Sequence, residues 1–232
     1  MDFNEPPVFG ANGAHGDSTK PQVGGDTMAV ITISRKFGAG GTTLGARLSQ
    51  RLGYRYVDDA LNKEVAKKVG VSPRLVRTLE KRGTSKLMKL LDKIVSPGYI
   101  DRRHVSDSHV RLDENRYVEE VKAVIYKLYE EGNVVIIGRG SNYTLQGFED
   151  TVHVLLLADF EHRVRFLMDT YKLTENAAEK AVKRADMVRS RFLSYFSDKE
   201  DHDDPMLYTL TLNMNRISME TAEELVYTLV AK

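Results

Sequence analysis

The chain has 232 residues, 29% of them charged and 41% hydrophobic, with no cysteine, no tryptophan and a formal net charge of +1. Without cysteine it cannot be a disulfide-stapled scaffold, a zinc ribbon, an iron–sulfur protein or a thiol-based catalyst. Near-neutral charge argues against a general nucleic-acid binder, and the longest apolar runs, such as 152–158, fall far short of the ~20 residues a membrane-spanning helix needs.

Residues 1–27 mix Gly, Pro, Asn, Asp and Ser without apolar periodicity and are expected to be disordered. They lack the basic start and continuous apolar stretch of a secretory signal, and a cytoplasmic protein is expected. From residue 28 short apolar runs alternate with longer helical patterns, the signature of a parallel α/β sheet within a single domain. Strands are predicted at 29–34, 54–58, 134–137, 152–157 and 208–213. A helix at 43–52 places Leu44, Leu48 and Leu52 on one face and stops at Gly53, suited to a left-handed C-cap. Further helices are predicted at 113–131, 160–170, 175–196 and 219–230, with Thr174 and Ser218 as N-caps of the last two. Between 60 and 112 the pattern gives short helices, including an N-cap and proline at Ser72-Pro73 and an amphipathic stretch at 86–94. This segment holds thirteen Lys or Arg against five acids, a local net of +8. It reads as a small helical lobe inserted between the second and third strands, or, more plainly, as a solvated basic surface.

The segment 31–45 (ITISRKFGAGGTTLG) carries the most chemistry. A buried strand runs through Gly38-Ala39-Gly40-Gly41 directly into a helix, an order that points free backbone N–H groups at an anion. Thr42 or Thr43 could offer a hydroxyl to Mg²⁺. Against the pattern G-x-x-x-x-G-K-[ST], Gly40 takes the second glycine and Thr42 the hydroxyl, but Gly41 stands where lysine belongs and Arg35 where the first glycine belongs. That lysine stabilises the β and γ phosphates, so another cation must replace it, with Arg35 and Lys36 nearest. The alternative is a tight strand-to-helix turn whose glycines serve packing alone.

Five ordered segments, 33–45, 56–59 (YVDD), 135–140 (VIIGRG), 158–164 (ADFEHRV) and 203–213 (DDPMLYTLTLN), together resemble the cytidylate kinase-like family, a branch of the P-loop nucleoside monophosphate kinases. The likeness covers essentially 28–232. It implies an α/β fold with a P-loop NTPase-type parallel five-stranded sheet flanked by helices, a helical monophosphate-binding lobe at 60–112 and a helical lid at 160–205. It also implies ATP-dependent phosphorylation of CMP or dCMP with Mg²⁺. The phosphate loop then falls on Gly38, Ala39, Gly40, Gly41, Thr42 and Thr43, with Thr42 for the metal. Arg139 matches an arginine that contacts the monophosphate, Asp58 the aspartate leading into the monophosphate lobe, and Arg163 lies in the Glu161-His162-Arg163 match. Where cytidylate kinases carry acids flanking the Gly-Arg pair, this chain has Ile137 and Gly140.

Independently of the resemblance, an arginine just past the carboxyl end of a buried strand sits where open parallel sheets bind ligands, and its planar fork suits phosphate. The plainer reading of Arg139 is a salt bridge to a loop acid, and of Asp58 a helix N-cap. Arg184, Arg191 and, less closely, Arg189 share one edge of the helix from 175, with Asp186 three residues before Arg189 and able to hold it. This edge resembles a kinase lid whose arginines, Arg184 and Arg189, would stabilise the transferring phosphoryl alongside Arg35. Asp198, Asp201, Asp203 and Asp204 with His202 read as a solvated loop rather than a metal site. Met187 and Phe192 read as packing residues, and His104 and His109 have no assigned role. The leading expectation is a nucleoside monophosphate kinase with ATP and a monophosphate as its ligands. The alternatives are a nucleotide-binding regulatory module impaired in catalysis, or a small-molecule kinase with another acceptor. Oligomeric state is not specified, and a homodimer through the basic segment is one arrangement the sequence would allow.

Overall fold

A computed structural model of the chain describes residues 29–58 and 107–231. The stretch expected to be disordered, most of the basic lobe expected at 60–112, and His104 lie outside the described residues. Five strands, β1 (Val30–Arg35), β2 (Arg55–Val57), β3 (Val134–Ile137), β4 (Thr151–Leu157) and β5 (Leu210–Asn213), form one sheet in the order β2-β3-β1-β4-β5. Every neighbouring pair is parallel. The helices are α1 (Gly41–Leu52), α2 (Asp107–Glu131), α3 (Ser141–Thr144), α4 (Phe160–Tyr171), α5 (Glu175–Leu193) and α6 (Met219–Val230).

Both faces of the sheet are covered, which is why its central strands read as continuous apolar runs instead of alternating ones. Strand periodicity divides their side chains between two cores. Ile31, Ile33, Val135, Ile137, Val154 and Leu156 pack with Leu44 and Leu48 of α1 and Ala222 and Val226 of α6. On the opposite face Val30, Val57, Val134 and Ile136 meet Val121, Val124 and Ile125 of α2. A third cluster joins Val164 and Leu167 of α4 to Ala178, Ala181 and Val182 of α5, with Phe37 packed against it.

The outgoing connections of β1 and β3 diverge: β1 leads toward β2, whereas β3 leads across β1 to β4. Their carboxyl ends therefore open a crevice, the general ligand position of open α/β sheets.

The expected caps are present. The hydroxyl oxygens of Thr174 and Ser218 accept from the backbone N–H of Ala177 and Thr221, and Gly53 ends α1 at φ 70°. Several boundaries differ from expectation. The first strand runs from Val30 through Arg35 instead of 29–34, so Arg35 belongs to the sheet, in register with Leu156. The first helix starts at Gly41, two residues early, because Gly40 at φ 87° makes the turn. The fifth strand starts at Leu210, since a 3₁₀ turn at Pro205–Leu207 occupies the approach and Tyr208 donates its N–H to the Pro205 carbonyl. The fifth helix ends at Leu193 rather than 196, its last turn closed by Ser194 and followed by a tight turn through Phe196.

Candidate active site at the ends of β1 and β3

The loop between β1 and α1 ends in a helix start that no side chain closes. Gly40 is the N-cap residue of α1 and no side chain caps the helix, so its first N–H groups point outward. Ala39 is buried and its N–H is bonded to the Lys36 carbonyl at 3.0 Å. The loop is braced from two sides: a methyl group on Gly40 would lie 2.6 Å from Met219 Cε of α6, and one on Gly38 would lie 3.1 Å from Arg163 Cβ. Thr42 and Thr43 follow on the exposed side of α1.

Arg35 spans the space beside this loop. Its methylenes lie over Gly41, where a Cβ would come within 2.7 Å of Arg35 Cγ, and its guanidinium reaches Gly138, where a Cβ would come within 2.5 Å of Nη1. Desolvation pulls the Arg35 pKa below its usual value; Asp58 opposes this, the neighbouring charges of Arg139 and Arg189 add to it, and Tyr56 opposes it weakly. These groups therefore share one pocket of charge with Arg35.

Arg139 occupies the turn after β3. Gly138, Arg139 and Gly140 adopt positive φ in succession, at 65°, 63° and 68°. Left-handed backbone costs an arginine about 1–2 kcal/mol, and such strain is maintained where the surroundings over-determine it. Here the Gly138 N–H bonds the Ile33 carbonyl, and Ser141 Oγ donates to the Gly138 carbonyl at 2.7 Å. Arg139 Nη2 lies 3.8 Å from Asp58 Oδ1, so the loop-acid pairing of its plainer reading is present, although long. Phe196 rests against Gly140, with its ring 2.6 Å from where a Cβ would sit.

The lid arginines divide. Arg189 reaches the sheet: Nη1 lies 2.8 Å from Asp203 Oδ1 and Nη2 donates to Ser34 Oγ at 3.1 Å. Arg184 is half-buried, and its Nε and Nη2 have no hydrogen-bond partner among the described residues. Arg163, expected at the substrate, is instead buried in the scaffold. Its Nη1 and Nη2 donate to the two carboxylate oxygens of Asp186 at 2.8 and 3.0 Å, and its Nε donates to the Asp159 carbonyl. Asp186 consequently holds Arg163 and not Arg189 as its spacing suggested.

Sequence reasoning missed Asp203. Read as part of a solvated loop, it is largely buried and bridges Lys36 Nζ at 3.2 Å and Arg189. Its neighbour His202 is also buried, with Nδ1 2.8 Å from the Tyr143 hydroxyl. The signal was the step Asp203-Asp204-Pro205, where the Asp204 side chain accepts from the Met206 N–H and anchors the 3₁₀ turn that aims Asp203 inward. Phe192 packs near Tyr117 as expected, whereas Met187 is 58% exposed.

Four cations, Arg35, Lys36, Arg139 and Arg189, thus share this crevice with two carboxylates, Asp58 and Asp203. An anionic ligand meets a net positive site. Beside it, at the carboxyl ends of β4 and β5, an open cleft of about 450 Å³ is lined by Leu157, Ala158, Thr211, Asn213 and Arg216. At its edge Asp159 and Asn215 are joined by a side-chain hydrogen bond and by one from the Asp159 N–H to Asn215 Oδ1. No group of three or more His, Cys, Asp or Glu able to hold a metal occurs among the described residues. A Mg²⁺ ion carried in by phosphates needs fewer protein ligands. The exposed Thr42 hydroxyl and the Asp58 carboxylate, both within reach of the buried Tyr56 hydroxyl, are a donor set of the right hardness. Among the described residues no helix is long and apolar enough to cross a membrane.

A glycine loop joining the central strand of this parallel sheet to the uncapped start of α1 gives the chain a P-loop NTPase-type fold. The family model for the cytidylate kinase-like family matches residues 30–216, and the chain belongs to that family. Among solved structures, an uncharacterized protein from Eubacterium ventriosum ATCC 27560 shares the fold at 17% identity and a TM-score of 0.61, over 87% of this chain and 98% of that one. A shikimate kinase from Bacteroides thetaiotaomicron is 15% identical with a TM-score of 0.48, over 88% of this chain and 99% of its own. A gluconokinase from Sinorhizobium meliloti 1021 is 11% identical with a TM-score of 0.48, over 88% and 93% respectively. No curated protein matches the sequence.

Proposed function

We propose that the protein transfers the γ-phosphoryl group of ATP to a nucleoside monophosphate, with CMP or dCMP the acceptor its family membership favours. The observation that carries this reading is the convergence of Arg35, Arg139 and Arg189 beside an uncapped helix N-terminus at the diverging ends of β1 and β3. Two phosphate-bearing ligands need two clusters of donors, and the crevice offers a backbone cradle at residues 38–43 and a guanidinium at Arg139. The donor's base would occupy the cleft at the ends of β4 and β5, since β4 lies beside β1 and the cradle that follows it.

In this reading an acceptor phosphate oxygen attacks the γ-phosphorus while the bond to the β,γ-bridging oxygen breaks, and ADP leaves. The acceptor oxygen is already anionic, so no general base is required, and the protein acts by positioning and charge stabilisation. Arg139 holds the acceptor, with Asp58 3.8 Å away orienting it. Arg184 and Arg189 face the charge that develops as the lid closes. Thr42 would hold Mg²⁺, which would supply charge neutralisation at the donor phosphates.

Incubation with ATP, Mg²⁺ and each ribo- and deoxyribonucleoside monophosphate in turn, following ADP release, tests the assignment. Turnover with CMP or dCMP that collapses in Arg139→Ala supports it; no turnover with any monophosphate defeats it. A second reading, a nucleotide-binding regulatory module, draws on the Asp203 bridge, which occupies both Lys36 and Arg189. ATP binding without turnover favours that reading.

A further inference from the structure

The P-loop pattern puts glycine at position 35 and lysine at position 41; this chain has arginine at 35 and glycine at 41. The two departures are spatially one. Arg35 Cγ, Cβ and Cδ lie 2.7, 3.1 and 3.1 Å from the point where a Cβ of residue 41 would stand. A lysine at 41 and an arginine at 35 cannot both be accommodated there, because even the first carbon of the lysine would overlap the arginine stem. The path of Arg35 continues past the start of α1 to Gly138, where the absence of a side chain leaves room for Nη1. Its guanidinium therefore lies between the turn that opens α1 and the turn that carries Arg139.

We propose that the phosphate-binding cation has exchanged places with the first glycine of the loop, so that Arg35, projecting from the strand, serves the donor's β and γ phosphates as the lysine at position 41 would. The proposal rests on the reading of the site as a nucleotide phosphoryl-transfer centre and names its missing cation. Glycine at 41 is then a requirement of the exchange: it vacates the volume that the arginine stem crosses. Glycine at 138 has the corresponding role at the far end. An arginine in this position presents a fork to two phosphate oxygens where lysine presents one point charge. As the bond from the γ-phosphorus to the bridging oxygen breaks, that oxygen gains negative charge beside the guanidinium, and the new bond forms on the Arg139 side of it.

The test is a reciprocal substitution read by calorimetric binding of Mg·ATP and of adenosine. Arg35→Met keeps the methylene stem over Gly41 and removes the charge; Arg35→Lys keeps a charge on a shorter reach. The double variant Arg35→Gly with Gly41→Lys restores the usual arrangement, while Gly41→Lys alone overpacks it. The expected result is a loss of about ten-fold or more in ATP affinity for Arg35→Met, the size of a lost hydrogen-bonded charge. Adenosine affinity should be unchanged, the Arg35→Lys loss smaller, and ATP affinity in the double variant above that of both Arg35→Met and Gly41→Lys. Thermal unfolding of each variant identifies any that fails to fold, in which case Arg35→Lys against Arg35→Gln carries the comparison. ATP binding undiminished in Arg35→Met, or a double variant no better than Gly41→Lys alone, would overturn the exchange while leaving the kinase reading intact. A wild-type protein that binds no ATP would overturn the kinase reading itself.

Discussion

Arg189 of α5 and Asp203, fourteen positions apart in the chain, meet at 2.8 Å against the end of the central strand, where Arg189 also donates to Ser34. The same carboxylate lies 3.2 Å from Lys36 in the loop between β1 and α1. Asp203 thus stands where it neutralises two cations that a donor phosphate would otherwise meet. Asp203→Asn leaves Lys36 and Arg189 as uncompensated like charges, and a partly buried pair broken on one side costs about 1–2 kcal/mol. Melting should fall by several degrees in phosphate-free buffer, and ATP should recover more of the loss than it adds to wild type. An Asn variant that melts as wild type with and without ATP contradicts this role.

Arg163 and Asp186 form a bidentate pair that fastens α4 to α5, with the arginine side chain 5% exposed and the aspartate 31%. Asp186→Asn strands a buried guanidinium and should lower stability by about 2–3 kcal/mol, below the full buried-pair value because the carboxylate is partly solvated. Replacing both, as Arg163→Met with Asp186→Leu, should restore part of that loss. Urea denaturation of the two variants measures both effects, and equal losses in the single and double variants would assign the cost to packing alone.

Much of the site could be read from the sequence, and the failures share a cause. Strand, glycines and helix in order anticipated the strand-turn-helix geometry at 35–41, because the backbone there is set locally by Gly40 at φ 87°. Arg139 could be placed because its strand is a continuous apolar run that ends at Gly138. Partner choice among charged side chains was not legible. Asp186 stands three residues from Arg189, a spacing that favours pairing on an isolated helix by a few tenths of a kcal/mol. The buried Arg163, 23 residues upstream, offers two hydrogen bonds in a desolvated geometry and wins. Asp203 escaped for the same reason: a run of acids looks solvated until a turn anchored by Asp204 carries one of them into the crevice.

The turn that presents Arg139 depends on a ring. Gly140 at φ 68° lies under Phe196, close enough that an alanine methyl would meet the ring carbons at 2.6–2.7 Å. Gly140→Ala should destabilise the protein by about 1–3 kcal/mol through strain and overpacking and raise KM for the acceptor several-fold with little change in KM for ATP. Adding Phe196→Ala should relieve the overlap but not the strain. Steady-state kinetics with the acceptor and donor varied separately distinguish this from a general loss of folding.

His153 lies in the sheet beside β1, its Nδ1 2.7 Å from Thr32 Oγ1 and its Nε2 3.3 Å from the Leu145 carbonyl oxygen. Burial holds its pKa below the ordinary 6.5, and burial, with the Arg189 charge, does the same for His202. Both rings are neutral in the fold at a pH where the unfolded chain binds protons. The stability they contribute is therefore fully present above about pH 6.5 and is lost as pH falls below it toward the depressed folded values. Urea midpoints should decline between pH 7 and pH 5, and His153→Gln should flatten part of that slope. An unchanged slope in the variant would place the titration elsewhere.

The contact between Gly40 and Met219 links the loop after β1 to the last helix of the described residues. Arg47 and Arg51 of α1 strengthen the link through Glu220, Glu223 and Glu224 of α6. During synthesis the loop emerges early, yet the side chain that lies against Gly40 arrives nearly 180 residues later. Packing at this end of the sheet is therefore completed late, once α6 has docked against α1 and beside a loop made much earlier.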